Sequence, residues 1–195
     1  MTDWDKLLQI KTTGRDSTSS DQYRYPYEPT PYPVLERLAG SGYIEKKNTL
    51  LDYGCGKGRV SFFLSSQTKC RSIGVEYNPR LYEKALTNKD RACRGHLVTI
   101  VQQDATDFAV PQYADRAFFF NPFSTDILRT VMMNLLESCR EFPREILLFF
   151  YYPSKAYTDY LTTISQLTLV DSLDCCGISN GKDSREKLLI YKVHP

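Results

Sequence analysis

Leu50-Leu51-Asp52-Tyr53-Gly54-Cys55-Gly56-Lys57-Gly58-Arg59-Val60 is the stretch that decides the fold of this chain. An apolar run meets an acid, three glycines alternate, and an amphipathic segment follows. That order reads as a buried strand, a tight turn and the start of a helix. Glycine has no Cβ and tolerates positive φ, so backbone at such a turn can pass very close to a ligand. The helix start behind it offers unpaired N–H groups and a positive dipole end. The stretch predicts a site for a nucleotide-like cofactor.

Regular alternation continues toward the C-terminus. Residues 49–53 read as an apolar strand and 57–66 as a helix with Val60, Phe63 and Leu64 on one face. A short strand at 72–76 precedes Asn78-Pro79, a cap followed by a residue suited to the first helical position. That helix runs to about residue 91, with Leu81, Ala85 and Leu86 inward. Residues 97–102 and 116–120 are strand-like. From 124 to 140, Ile127, Leu128, Val131, Met132, Leu135, Leu136 and Cys139 keep a helical spacing. The continuous apolar run at 145–151 suits a strand covered on both faces. A helix at 154–164 follows, then strands at 167–175 and 187–193 joined by a polar loop at 177–183. Alternating strands and helices predict an α/β fold with a doubly wound, mostly parallel sheet. The last two strands, joined only by a loop, predict an antiparallel pair at one edge.

Residues 1–43 are different in kind. A polar run spans 16–21, and Tyr23, Tyr25, Tyr27 and Tyr32 interleave with Pro26, Pro29, Pro31 and Pro33. Prolines at this density block a long helix or a central strand. The segment reads as an arm or cap laid over a domain at 44–195, with one short helix at 34–39 ended by Gly40 and Gly42.

Bulk composition narrows the classes. The 195 residues suffice for one sizeable domain, and 42% hydrophobic with 25% charged residues is ordinary globular composition. A formal net charge of +2 gives no basic field for long nucleic-acid tracts. No apolar run reaches a membrane span, and the acidic N-terminus has no signal-peptide core, so a soluble, cytoplasmic protein is expected. The six cysteines form no C-x-x-C pair and only two histidines accompany them, which argues for reduced thiols and against a metal site. His96, at the start of a strand, reads as structural.

In a sheet of this kind, ligands bind at the carboxyl ends of the strands. The residues expected there are Asp52 with Gly54, Gly56 and Gly58, then Glu76, Asp104, Asn121-Pro122-Phe123, and Tyr151-Tyr152. Glu76 stands 22 residues beyond Gly54, where an acid can accept from both hydroxyls of a ribose. The dinucleotide fingerprint G-x-G-x-x-G is not met, because Arg59 occupies the third glycine's place. The negative charge of Asp52 is badly placed for a pyrophosphate and better placed for a ligand carrying an ammonium group.

These residues resemble the class I S-adenosylmethionine-dependent methyltransferases. Leu51-Asp52-Tyr53-Gly54-Cys55-Gly56-Lys57-Gly58 looks like the family's first motif and Glu76 like its ribose-binding acid. Gln103-Asp104-Ala105 is similar to the third motif, in which the acid accepts from the adenine amino group and the next backbone N–H meets the ring. Asn121-Pro122-Phe123 occupies the fourth, at the reacting end of the cofactor. The resemblance covers about residues 44–195 and implies a Rossmann-like, seven-stranded sheet. It also implies S-adenosyl-L-methionine as methyl donor, with Asp52, Gly54, Gly56, Gly58, Glu76, Asp104, Ala105 and Asn121 around it.

Family members that methylate planar amino groups usually carry a second proline in the fourth motif, where this chain has Phe123-Ser124. Two readings of that loop stand. In one, Asn121 accepts from a target amine or amide and Phe123 stacks on it, which makes them the catalytic pair. In the other, Asn121 caps the next helix and Phe123 packs. Tyr27 and Tyr32 read either as a lid over the cofactor or as arm packing, and Tyr151 as a wall of the acceptor pocket. The acceptor class is a small molecule or a protein side chain, with an RNA base not excluded. Two other functions compete with methyl transfer: a non-catalytic binding protein built on the same fold, and a nicotinamide-dependent oxidoreductase.

Overall fold

The quoted stretch opens as strand β1 (Thr49–Tyr53), every residue of which is buried. The computed structural model describes residues 2–16, 22–177, 183 and 185–194. Most of the polar run at 16–21 and of the loop at 177–183 lies outside the described residues.

Around β1 assemble β2 (Arg71–Glu76), β3 (Val98–Gln102), β4 (Arg116–Phe119), β5 (Ile146–Tyr151), β6 (Leu167–Asp174) and β7 (Lys187–Val193). They form one sheet in the order β3-β2-β1-β4-β5-β7-β6. The first five run parallel, and β7 lies antiparallel between β5 and β6. The fold is the expected α/β, Rossmann-like sheet with its antiparallel C-terminal pair.

Among the described residues, six α-helices accompany the sheet: α1 (Trp4–Leu8), α2 (Tyr32–Gly40), α3 (Arg59–Thr68), α4 (Pro79–Arg91), α5 (Thr125–Glu141) and α6 (Lys155–Leu161). Asn78 caps α4 as its residue type predicts, its side chain accepting from the N–H groups of Arg80 and Leu81. Ser124 and Ser154 cap α5 and α6 in the same way. Helix α1 has no counterpart in the sequence reading, because five residues are too few to show an amphipathic period. It exists because Asp3 caps it and Leu8 reaches the core. Helix α2 runs through Gly40, and the chain turns at Gly42 with φ +82°.

Each face of the sheet carries its own apolar cluster. Leu50, Phe118 and Phe149 pack with Leu35, Leu38, Phe63 and Leu64 from α2 and α3 on one side. Leu51, Phe119, Leu148 and Phe150 pack with Leu128, Val131, Met132 and Leu135 of α5 on the other. A strand sandwiched this way must be apolar on both faces, and each fully buried Leu or Phe contributes about 1.5–3 kcal/mol. Leu8 and Ile10 of the N-terminal segment belong to the first cluster, so the segment and the sheet share a core. Across the strand ends on the second face, Tyr53, Phe119 and Phe150 stack at 5.1 and 4.6 Å between ring centroids. This column keeps the carboxyl ends of β1, β4 and β5 rigid, and those ends carry the site. Among the described residues, no helix is long and apolar enough to cross a membrane.

Candidate active site

The turn after β1 is built on glycine for reasons visible in its geometry. Gly54 has φ +67°, and a Cβ there would stand 2.4 Å from Pro122 Cβ. Gly56 has φ +56°, and a Cβ there would fall 2.0 Å from the ring of Tyr27. The proline ring after β4 and the tyrosine ring of the arm thus crowd the turn, and a Cβ has no room at either glycine. Gly58 is the N-cap of α3, and its N–H donates to Cys55 O at 2.8 Å.

Three acids stand at the ends of the first three strands. Asp52 is 2% exposed, and its Oδ2 accepts from the Ser61 N–H at 3.2 Å and the Ser61 hydroxyl at 2.7 Å. Burial pushes its carboxyl up to about 7; the Ser61 bonds oppose the shift and the nearby Glu76 adds to it. Glu76 accepts from Gly56 N–H and Asn78 N–H, each at 2.8 Å, and burial raises its pKa despite these bonds. Asp104 uses Oδ1 for the N–H and hydroxyl of Thr106, at 3.0 and 2.9 Å, and Oδ2 for the guanidinium of Arg24. Burial acts to raise the Asp104 pKa, but the bonds from Thr106 and Arg24 prevail and hold it below the ordinary value.

A cavity opens over these strand ends. Asp52, Gly54, Glu76, Asp104, Ala105 and Phe123 of the expected residues line it. The arm supplies the facing wall through Arg24, Tyr25, Tyr27 and Glu28. The Tyr27 hydroxyl donates to Thr12 O at 2.7 Å, and Lys57 Nζ lies 4.9 Å from its ring centroid. Gly56 and Gly58 shape the turn without lining the cavity, since Tyr27 covers the first and Phe62 packs against the second.

A second cleft, of about 660 Å³, lies beside the first over the ends of β4 and β5. Asn121, Phe120, Tyr151 and Tyr152 line it, with the acids Glu28, Asp183 and Glu186. Arg15 is the one basic side chain among its described lining residues. Tyr25, Pro26, Glu28 and Phe120 line both spaces and so form the partition between them.

The fourth-motif loop is more tightly bound than its residue types suggested. Asn121 adopts φ +40°, donates from Nδ2 to Tyr152 O at 2.6 Å, and accepts at Oδ1 from Ser154 N–H at 3.1 Å. It joins the end of β4 to the chain after β5, while the caps of α5 and α6 are serines. Phe123 is 4% exposed and meets Phe119 edge-on at 6.4 Å, yet it also faces the first cavity. Tyr32 stands apart from both spaces. Its hydroxyl bonds to Asp5, and its ring lies 5.4 Å from Phe63 with Arg59 at 4.3 Å from its centroid. The sequence reading missed Arg24, Tyr25, Glu28 and Tyr77. Tyr77 was signalled only by its place directly after Glu76, and the three arm residues only by belonging to a segment read as a cap, with nothing local to single out Arg24 or Glu28.

Comparison with known proteins agrees with this geometry. Residues 50–142 match the family model described as a methyltransferase domain. A protein-lysine N-methyltransferase of Saccharolobus islandicus (strain REY15A) is 30% identical over 67 residues, 34% of this chain and 42% of that protein. The match spans less than half of that curated relative's length. An RNA methyltransferase from Salinibacter ruber, solved with S-adenosyl-L-homocysteine, superposes with a TM-score of 0.62 at 18% identity, covering 86% of this chain and 94% of that one. Just under half of the chain resembles a methyltransferase domain, and the whole shares the fold of a solved methyltransferase. A glycopeptide N-methyltransferase, MtfA, complexed with S-adenosylmethionine shares the methyltransferase fold at a TM-score of 0.60 and 13% identity, over 83% of this chain and 86% of that one.

The lining suits such a cofactor in its chemistry, and the arm leaves about 100 Å³ of the cavity open. Gly54 brings bare backbone to the cavity, Glu76 presents two carboxylate oxygens at the end of β2, and among the described residues no cation pairs with buried Asp52. Asp104 and Tyr77 line the same cavity, a carboxylate beside an aromatic ring.

Proposed function

We propose that the chain transfers a methyl group from S-adenosylmethionine to the nitrogen of an amine. The observation that carries this reading is the pair of spaces meeting at Tyr25, Pro26, Glu28 and Phe120. One has the donor set of a nucleoside-type ligand. The other joins carboxylates to aromatic faces, a lining suited to a group that carries positive charge.

When bound, S-adenosylmethionine supplies an activated methyl group, which an acceptor lone pair takes while sulfur keeps the electrons of the broken bond. The protein's own task is placement, since in-line geometry accounts for most of the acceleration such a displacement needs. Gly54, Gly56, Glu76 and Asp104 set the depth and direction of the donor, and Tyr27 closes it from water. Asn121 is a positioning residue: by tying the end of β4 to Tyr152 and Ser154 it holds Phe123 on the cofactor side and Tyr151 on the acceptor side. Glu28, exposed and on both walls, accepts a hydrogen bond from the acceptor nitrogen and steadies the positive charge that builds there. The shed proton leaves to solvent through the open cleft. In this reading residues 1–43 are a cap that completes both spaces.

The curated relative is named for protein lysine and MtfA for nitrogen in a glycopeptide, which supports an amine acceptor. The test is transfer of a tritiated methyl group to three acceptor pools: lysine-bearing peptides, small aliphatic amines and RNA. Label is expected in one of the amine pools, with a severalfold rise in KM for Glu28→Gln. Label confined to RNA bases refutes the amine reading.

A further inference from the structure

Arg24 does something that neither the fold nor the reaction requires. Its guanidinium carbon lies 4.0 Å from the centroid of the Tyr77 ring, and its Nη2 donates to Asp104 Oδ2. Tyr77 follows β2, Asp104 follows β3, and both line the cofactor cavity. A flat, delocalised group stacked on an aromatic face while donating N–H to a carboxylate is what a purine with an exocyclic amino group would be in the same place. One Asp104 oxygen is taken by Thr106, and Arg24 holds the other.

We propose that Arg24 is an internal stand-in for the adenine ring: it fills the adenine seat when no cofactor is present and must leave before the cofactor binds. This rests on the cavity being the S-adenosylmethionine site. The Arg24 and Asp104 side chains are 25% and 19% exposed, so the guanidinium has a short way out to water. The backbone of the arm does not have to follow. Tyr25 N–H donates to Pro122 O at 3.2 Å, and Ser124 N–H donates to Tyr23 O at 2.6 Å. These bonds flank Arg24 and anchor it to the fourth-motif loop, so the side chain can swing on a fixed stem. The stand-in also keeps the Asp104 carboxylate from standing unpaired in a half-buried place.

Competition of this kind lowers apparent cofactor affinity by the fraction of chains with the seat open. A filled seat favoured by about ten to one makes removal of Arg24 worth about tenfold in affinity. The experiment is calorimetric titration of the wild-type chain, Arg24→Ala and Arg24→Met with S-adenosylhomocysteine, adenosine and methionine. Arg24→Met keeps an apolar stem over Tyr77 and drops the bond to Asp104, which guards against a folding defect in the alanine variant. Both variants are expected to bind S-adenosylhomocysteine and adenosine about tenfold more tightly, with methionine unchanged. Equal or weaker binding by the variants, with the wild type binding S-adenosylhomocysteine normally, overturns the stand-in and leaves the cofactor reading intact. If no form binds S-adenosylhomocysteine, the cofactor reading falls and the stand-in with it.

Discussion

Replacing Asp52 by Asn isolates the buried acid of the glycine turn. Burial raises the Asp52 carboxyl from an ordinary 3.8 to about 7, against the two bonds from Ser61. The sign follows from proton counting. Between about pH 4 and 7 the folded chain keeps this proton and the unfolded chain has lost it, so the folded state binds more protons. Stability therefore falls as pH rises through that window, by up to 1.36 kcal/mol per unit, and levels off above about 7. Over roughly three units this amounts to about 4 kcal/mol. Asparagine keeps an oxygen for Ser61 and does not titrate, so the variant lacks this component at every pH.

The assay is urea unfolding of both proteins from pH 5 to 8. The stability of Asp52→Asn relative to wild type is expected to improve by about 3 kcal/mol across that range. Any constant penalty from the buried amide drops out of the comparison, because only the change with pH is read. Part of the wild-type slope also comes from Glu76, which shifts in the same direction, and this part persists in the variant. Saturating S-adenosylhomocysteine, whose ammonium favours the ionised acid, is expected to flatten the wild-type curve and leave the variant's shape unchanged. Two parallel curves without ligand would refute the claim that Asp52 keeps its proton in the folded chain.

Four further substitutions, at three positions, probe the turn and the loop. Gly56→Ala combines positive φ with a Cβ 2.0 Å from Tyr27, for a loss of about 2–4 kcal/mol in thermal unfolding and no calorimetric binding of S-adenosylhomocysteine. Glu76→Gln sets an amide donor against the N–H of Gly56 or Asn78, a loss of about 1–3 kcal/mol in urea unfolding, with cofactor affinity reduced at least tenfold; unchanged stability would show that the two oxygens are not needed as acceptors. Asn121→Ala loses the bonds to Tyr152 and Ser154, about 2 kcal/mol, while Asn121→Gly loses the same bonds but relieves φ +40°. Urea midpoints should rank Asn above Gly above Ala, and a glycine variant no better than alanine would remove backbone strain from the account.

The residues legible in the sequence are those whose partners are near in sequence or set by the repeating strand-helix unit. β1 and β7 begin and end where alternation and apolar content place them, and Asn78-Pro79 opens α4 because cap and first-turn preferences are local. Gly54, Glu76 and Asp104 reach one cavity because parallel strands all present their carboxyl ends to the same side. Asn121 shows where local reading stops. Its residue type suits a target amine as well as it suits a backbone bridge, and only the contact with Tyr152, 31 positions on, decides that its Nδ2 is taken.

The arm is legible as a cap, but its contacts lie beyond that limit, for a physical reason. Proline density excludes helix and central strand but prescribes no register, so nothing local tells Arg24 which surface it meets. Its bond to Asp104 spans 80 positions, and the Lys57 bond to Thr13 O spans 44. Such contacts follow from shape: the glycine turn leaves a flat patch at Gly56, the ring of Tyr27 fits it, and the neighbouring guanidinium then comes within reach of Tyr77 and Asp104. The glycines that let a cofactor approach also let the arm approach. In this chain the arm covers the opening that the glycines leave, and the planar, N–H-donating guanidinium of Arg24 has the chemistry of the ligand it stands in for.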